Sequence, residues 1–153
     1  MKLSLTIVAS EDKDEYLPLL LIADESEKAV KQYFADGDLF SIHINDELSG
    51  VILFTTIDVS TIELKNFALL KAYRGKGLGK KVIQTALSDY KEMGVKQVLV
   101  GTANSSIGNI AFYQKAGFRM KEIKRDFFLD YPEPIIENGI RALDMLMFQK
   151  ELD

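Results

Sequence analysis

Apolar and polar residues alternate from Leu3 to Val8, with Leu3, Leu5 and Ile7 on one side and Ser4 and Thr6 between, which predicts an opening strand. The period then lengthens. Leu17, Leu20 and Leu21, followed by Val30, Tyr33 and Phe34, recur at helical spacing and predict helices over 13–23 and 26–35, the second with Ser26 as its N-cap. Asp36-Gly37-Asp38 breaks that run, and alternation returns over 39–45 with Phe40, Ile42 and Ile44 on one face and Ser41, His43 and Asn45 on the other. Residues 45–50 read as a hairpin turn into a strand over 51–58. After a short turn, Thr61 to Leu70 is apolar-rich and free of glycine and proline, as a buried strand should be. Leu78, Val82, Ile83, Ala86, Leu87, Tyr90 and Met93 then define a long helix closed by Gly94. A short strand over 97–100, a loop and helix over 101–116, a strand over 118–128, a proline-bearing loop over 131–139 and a last strand over 142–149 complete the chain. The predicted order, β-α-α-β-β-β-α-β-α-β-β, is that of an α/β domain: a mixed sheet of about seven strands with helices on both faces.

Between the buried strand and the long helix stands Arg74-Gly75-Lys76-Gly77-Leu78-Gly79. Glycines let backbone N–H groups come close to a ligand, and a helix N-terminus adds a positive dipole, so strand, turn and helix together form an anion cradle. Arg74, Lys76, Lys80 and Lys81 add fixed positive charge in a chain whose net charge is −4. A phosphate-bearing ligand suits it. A P-loop would need glycine at 74 and Ser or Thr at 81, where Arg74 and Lys81 stand, and a dinucleotide fingerprint would need glycine at 80, where Lys80 stands.

Composition narrows the classes further. A chain of 153 residues, 47% hydrophobic and 27% charged, is expected to form one soluble domain spanning 1–153, with no repeat and no linker. Its negative balance argues against nucleic acid as a partner. No apolar run approaches a membrane span and residues 1–7 do not resemble a secretion signal, so a cytoplasmic location is expected, with no membrane partner. There is no cysteine, and the single histidine, His43, falls on the polar side of its strand, where it reads as a surface residue; no metal site is expected.

The spacing Arg74-x-x-Gly77-x-Gly79, followed by a helix, a strand, a second helix bearing Tyr113 and the exit Gly117-Phe118, resembles the GNAT superfamily of acyl-coenzyme A-dependent N-acyltransferases. The order of elements matches that superfamily along nearly the whole chain. The resemblance implies acetyl-coenzyme A (acetyl-CoA) as co-substrate, with its pyrophosphate on Arg74, Gly75, Lys76, Gly77, Leu78, Gly79 and Lys80. It also implies that backbone groups of Phe67, Ala68 and Leu69 pair with the pantetheine arm like an added strand. The family usually has an asparagine seven residues before the tyrosine and an alanine four before it; here Ser106 and Asn109 occupy those places, with Asn104 two residues earlier. Either Asn104 or Asn109 could bond the pantetheine amides. Dimers are common in the family, and a homodimer is compatible with this chain.

Acyl transfer from a thioester to an amine needs a neutral amine, a donor to the carbonyl oxygen and a proton for the departing thiolate. With no cysteine there is no thioester acyl-enzyme, and direct transfer in a ternary complex is the simpler route. Tyr113 is the implied proton donor, since an ordinary tyrosine pKa of about 10 lies near that of an alkyl thiol. Glu63 lies eleven residues before Arg74, the place of a general-base glutamate in some GNAT enzymes, and would act through water; its alternative role is an ion pair with Lys65. The expected activity is N-acetylation of a primary amine on a small molecule, with a peptide or protein amine, or a non-catalytic acyl-CoA sensor, as alternatives. The segment 126–138 carries four carboxylates, three aromatic rings and no basic residue. Phe128, Asp130, Tyr131, Glu133 and Glu137 are therefore expected to hold a cationic acceptor, with a second, non-reacting cation favouring polycations.

Overall fold

The computed structural model describes residues 1–24 and 26–153. The chain runs through β1 (Leu3–Ile7), a 3₁₀ segment (Ser10–Tyr16), α1 (Leu17–Ala23), α2 (Glu27–Phe34), β2 (Asp38–Ile44), β3 (Glu47–Asp58), β4 (Thr61–Leu69), a 3₁₀ turn (Lys71–Tyr73), α3 (Leu78–Glu92), β5 (Gln97–Ala103), α4 (Ile107–Lys115) and β6 (Arg119–Lys124). A two-stranded hairpin of β7 (Ile136–Glu137) and β8 (Ile140–Arg141) precedes the last strand, β9 (Met145–Glu151). Seven strands form one sheet in the order β1-β2-β3-β4-β5-β9-β6. Its single parallel pair is β4 with β5; every other neighbour is antiparallel.

The sheet separates two cores. On one face Ile42, Ile52, Phe54, Ile62, Leu64 and Phe148 pack against Val82, Ile83, Ala86, Leu87 and Tyr90 of α3 and Tyr113 of α4. On the other, Val51, Leu53, Leu39 and Ala68 pack against Leu20 of α1 and Val30 of α2. The long helix buries the stripe its spacing implied, except that Met93 at its end is 68% exposed. Tyr90 ties α3 to the sheet by donating its hydroxyl to Asp38 Oδ2 at 2.7 Å.

Local departures from the expected elements have local causes. Residues 13–23 do not form one helix, because Pro18 has no N–H to continue a turn from Asp14, so a 3₁₀ segment ends and α1 begins around it. Ser26 does cap α2, accepting from the Ala29 N–H at 3.1 Å. β2 has no solvent face: Leu39 and Ser41 are buried under the α1–α2 layer, and a bulge between Ile42 and His43 leaves His43 half-buried rather than on the surface. β6 stops at Lys124, short of Phe128, just before Asp126 takes a left-handed conformation with φ 63°.

A buried lysine secures the join between α2 and β2. Lys13 is 7% exposed, and its ammonium donates to the carbonyl oxygens of Phe34 (3.2 Å), Ala35 (2.9 Å) and Gly37 (2.7 Å). These are carbonyls that the end of a helix leaves without partners. Lys13→Met keeps the aliphatic stem and strands all three acceptors, so it should lower unfolding free energy by about 2–4 kcal/mol. Urea unfolding followed by circular dichroism measures this; a loss under about 0.5 kcal/mol would mean water serves those carbonyls equally well.

Candidate active site

The site begins where a strand pair ends. β4 and β5 pair from Thr61–Gln97 to Leu64–Val100 and then part. At that point β4 carries one extra residue: Leu64 stands opposite Phe54 and Asn66 opposite Leu53, so Lys65 is a bulge. The separation opens a cleft of about 1000 Å³ lined by β4 from Leu64 to Phe67, by Val100 to Ala103 of β5, by the glycine turn and by α4. Leu70 N–H donates to Ser49 on β3 at 2.8 Å, and backbone direction alternates along a strand. Ala68 therefore also faces β3, and Phe67 and Leu69 turn their backbone groups toward the space β5 has left. This corrects one expectation: Ala68 has its backbone paired with Val51 and its side chain in the α1–α2 core, and does not edge the cleft.

The anion cradle sits at one end. Gly75 and Gly77 adopt left-handed conformations with φ of 73° and 74°, and a Cβ at either would meet nothing, so these glycines are required by backbone rather than by space. Gly79 differs, since its Cβ would come within 3.0 Å of Phe112 Cζ, and glycine there lets α4 approach α3. The first N–H groups of α3, at Leu78, Gly79 and Lys80, have no partner within the helix and open on the cleft. Arg74 donates through Nε to Leu69 O at 2.8 Å, pinning the turn to the end of β4, and lines the cleft with Lys80. Lys76 is exposed and stands off the wall.

Tyr113 reaches the cleft from α4, wedged among Phe112, Phe118 and Phe148 with ring centroids 5.2, 5.8 and 6.4 Å away. It is 8% exposed, and burial alone pushes its hydroxyl up to about 12. Asn109 also lines the cleft, 3.5 Å from Thr102 Oγ1. Asn104 does not. Its Oδ1 accepts from the N–H groups of Leu143 (2.8 Å) and Asp144 (3.1 Å) and its Nδ2 donates to Arg141 O (3.2 Å), so it fastens the end of β5 to the link between β8 and β9. Of the two asparagines expected near the pantetheine arm, Asn109 stands at the cleft wall and Asn104 does not.

Glu63 stands off the cleft in an adjoining pocket of about 120 Å³, 3.4 Å from Lys65 Nζ, so the ion pair is formed and contact with the cleft would run through water. The expected acidic acceptor loop is only partly brought in. Phe128, Tyr131 and Glu137 line the cleft, whereas Asp130 and Glu133 are exposed outside it. Glu137 Oε1 accepts from the hydroxyls of Ser106 (2.8 Å) and Ser105 (3.3 Å), which folds the β7 strand over the start of α4. Asp24 and Asn66, with Tyr33 behind them, gather on the same side as Tyr131, although nothing in the periodicity singled them out. The available signal was an asparagine next to Phe67-Ala68-Leu69 in a strand read as buried.

The profile described as the acetyltransferase (GNAT) family matches residues 7–118. An uncharacterized N-acetyltransferase of Bacillus subtilis, YvbK, is 38% identical over 146 residues, covering 95% of this chain and 94% of its own. A GNAT family acetyltransferase from Elizabethkingia anophelis, solved with acetyl-CoA bound, has a TM-score of 0.90 at 34% identity and 98% coverage of both chains. A Bacillus subtilis acetyltransferase in complex with CoA gives 0.89 at 37% identity, covering 99% of this chain and all of that one.

Gly77→Glu forces a side chain into a left-handed backbone and sets a carboxylate among the cradle N–H groups, while Gly79→Glu puts a carboxylate in the first turn of α3 and crowds Phe112. Calorimetric titration with CoA should show affinity falling by about 100-fold or more in each, because like charge meets pyrophosphate at close range. Wild-type affinity in a folded variant would remove the cradle from the binding site.

Proposed function

The chain belongs to the acetyltransferase (GNAT) family, and from that premise we propose that it moves an acetyl group from acetyl-CoA to a primary amine of a small molecule, directly, in a ternary complex. The observation carrying this reading is that one cleft joins the anion cradle, the unpaired edge of β4 and the buried hydroxyl of Tyr113. The residues present suit the co-substrate. Arg74, Lys80 and the free N–H groups of α3 match pyrophosphate, and the Phe67–Leu69 edge offers strand-like pairing to pantetheine amides, with one N–H left for the thioester oxygen.

The gap passes through the sheet. Phe67, Leu69 and Tyr113 lie on the α3–α4 face, while Asp24, Lys65 and Asn66 lie on the α1–α2 face. Co-substrate entering from the first face meets acceptor entering from the second. The amine nitrogen forms a bond to the thioester carbon as the carbon–sulfur bond breaks, Tyr113 gives its proton to sulfur, and the proton lost by the amine leaves through water in the adjoining pocket toward Glu63. A small acceptor is favoured because Phe128, Tyr131 and Glu137 close over that side. With only Glu137 of the four loop carboxylates at the wall, and two serines already bonded to it, the case for a polycation is weaker than the sequence implied.

Tyr113→Phe keeps the aromatic packing and removes the donor, so kcat should fall about 100-fold while the KM for acetyl-CoA moves less than about twofold. A tyrosine held near 12 stays protonated, and so competent as an acid, at every lower pH. The wild-type rate should therefore rise as the amine deprotonates and show no loss from Tyr113 below about pH 11. Thiol release at saturating amine, between pH 6 and pH 10.5, measures both; an unchanged rate in the Phe variant would assign the proton to water. Glu63→Gln should lower kcat by about tenfold at neutral pH with both KM values steady, and a KM change for acetyl-CoA instead would mean Glu63 only shapes β4.

A further inference from the structure

Asn66 sits in the middle of β4 and is 4% exposed. Its Nδ2 donates to Leu20 O at 2.8 Å and to Tyr33 Oη at 2.9 Å. A main-chain carbonyl can only accept, so the amide cannot be turned end for end, and both of its hydrogens are committed. Its Oδ1 is left fixed in orientation, shielded from bulk water and without a hydrogen-bond partner among the described residues. A buried acceptor in that state is costly unless a donor arrives. Asn66 lines the cleft, so the cleft is the side from which such a donor could be supplied.

The surroundings define what that donor is. Tyr33 passes its own hydrogen to Asp24 Oδ2 at 3.3 Å, which links Asn66, Tyr33 and Asp24 in one chain of hydrogen bonds. Burial raises the Tyr33 hydroxyl well above its ordinary range, so it stays a neutral link beside the Asp24 carboxylate. Asp24 Oδ1 is held by the Ser26 N–H at 3.1 Å, and Tyr131 lies near enough to feel the same carboxylate. Asp24 thus stands between two tyrosines at the wall of the cleft. The protein's own Lys65 ammonium lies 5.5 Å from the Tyr33 ring centroid, so an alkylammonium is the kind of group this corner accommodates. All of these groups lie on the α1–α2 face, away from the cradle, which excludes pyrophosphate as their partner.

We propose that Asp24 and Asn66, joined through Tyr33, are the receiving site for the acceptor amine: Asp24 faces the incoming ammonium and Asn66 Oδ1 takes one of its N–H groups, orienting the nitrogen toward the gap between β4 and β5. The substrate class is a primary alkylamine, and Ile22 and Tyr131 line the same cleft. This rests on the acetyl-transfer reading and adds to it the residues that select the acceptor.

The test uses the whole chain, ¹⁵N-labelled and saturated with CoA, titrated with propylamine, tyramine, putrescine, spermidine, glycinamide and lysine methyl ester. The Asn66 side-chain amide resonance is followed, and thiol release from acetyl-CoA is measured with the same amines. At least one amine should be acetylated and should shift that resonance saturably. Asp24→Asn and Asn66→Ala should each raise its KM by about tenfold or more, the scale of a hydrogen bond to a charged group, with the KM for acetyl-CoA moving less than about twofold. Should Asn66→Ala fail to fold, Asp24→Asn and the wild-type resonance decide. Acetylation with an unmoved resonance and unmoved amine KM, or a shift caused by CoA alone, overturns the assignment and leaves acetyl transfer standing. No thiol release and no shift with any of the amines overturns both.

Discussion

Four residues of parallel pairing hold β4 to β5, and the cleft exists because the pairing stops there. Backbone polar groups inside a fold need partners, so strands that part in mid-sheet leave a demand that a ligand can meet. The bulge at Lys65 governs the parting. Under strict alternation Asn66 would follow Ile62 and Leu64 onto the α3 face. The extra residue instead sends Asn66 to the α1 side and Phe67 to the α3 side, so adjacent residues serve opposite faces of one opening. A single inserted residue thereby sets the separation of the strands and the distribution of side chains around it.

The cradle depends on the same frame. Its glycines have value only if the helix they introduce is rigidly placed, and α3 is fixed by its buried stripe and by the bond from Tyr90 to Asp38 across the sheet. Arg74 closes the other side by gripping the carbonyl of Leu69, the residue whose backbone borders the gap. Local positive charge is thus anchored to the strand end in a chain that is negative overall, which concentrates anion attraction at one place.

Features carried by short-range pattern were legible in the sequence: the α3 stripe, the glycine spacing, the N-cap at Ser26 and the sevenfold mixed sheet all follow from residues close together in the chain. Features decided by long-range contact were not. Asn104 looked like a ligand because nothing local reveals that residues 141–144 return to meet it. The carboxylates of the 126–138 segment counted equally on paper, yet Glu137 alone of them reaches the wall, since β7 pairs with β8 and carries it over Ser105 and Ser106. Nothing in the local pattern distinguished Lys13, whose three carbonyl partners lie 21 to 24 residues away.

A catalyst whose reagent reacts with amines also carries amines of its own, and the structure bears on which of them are safe. Lys13 spends all three of its hydrogens on carbonyl oxygens beneath the surface, so no lone pair is presented to an acyl donor. Lys65 is more hazardous because it lines the cleft, but its ammonium is held against Glu63 and the Tyr33 ring. The ion pair beside the site therefore acts as a protecting group in the synthetic chemist's sense, guarding the catalyst against consuming itself.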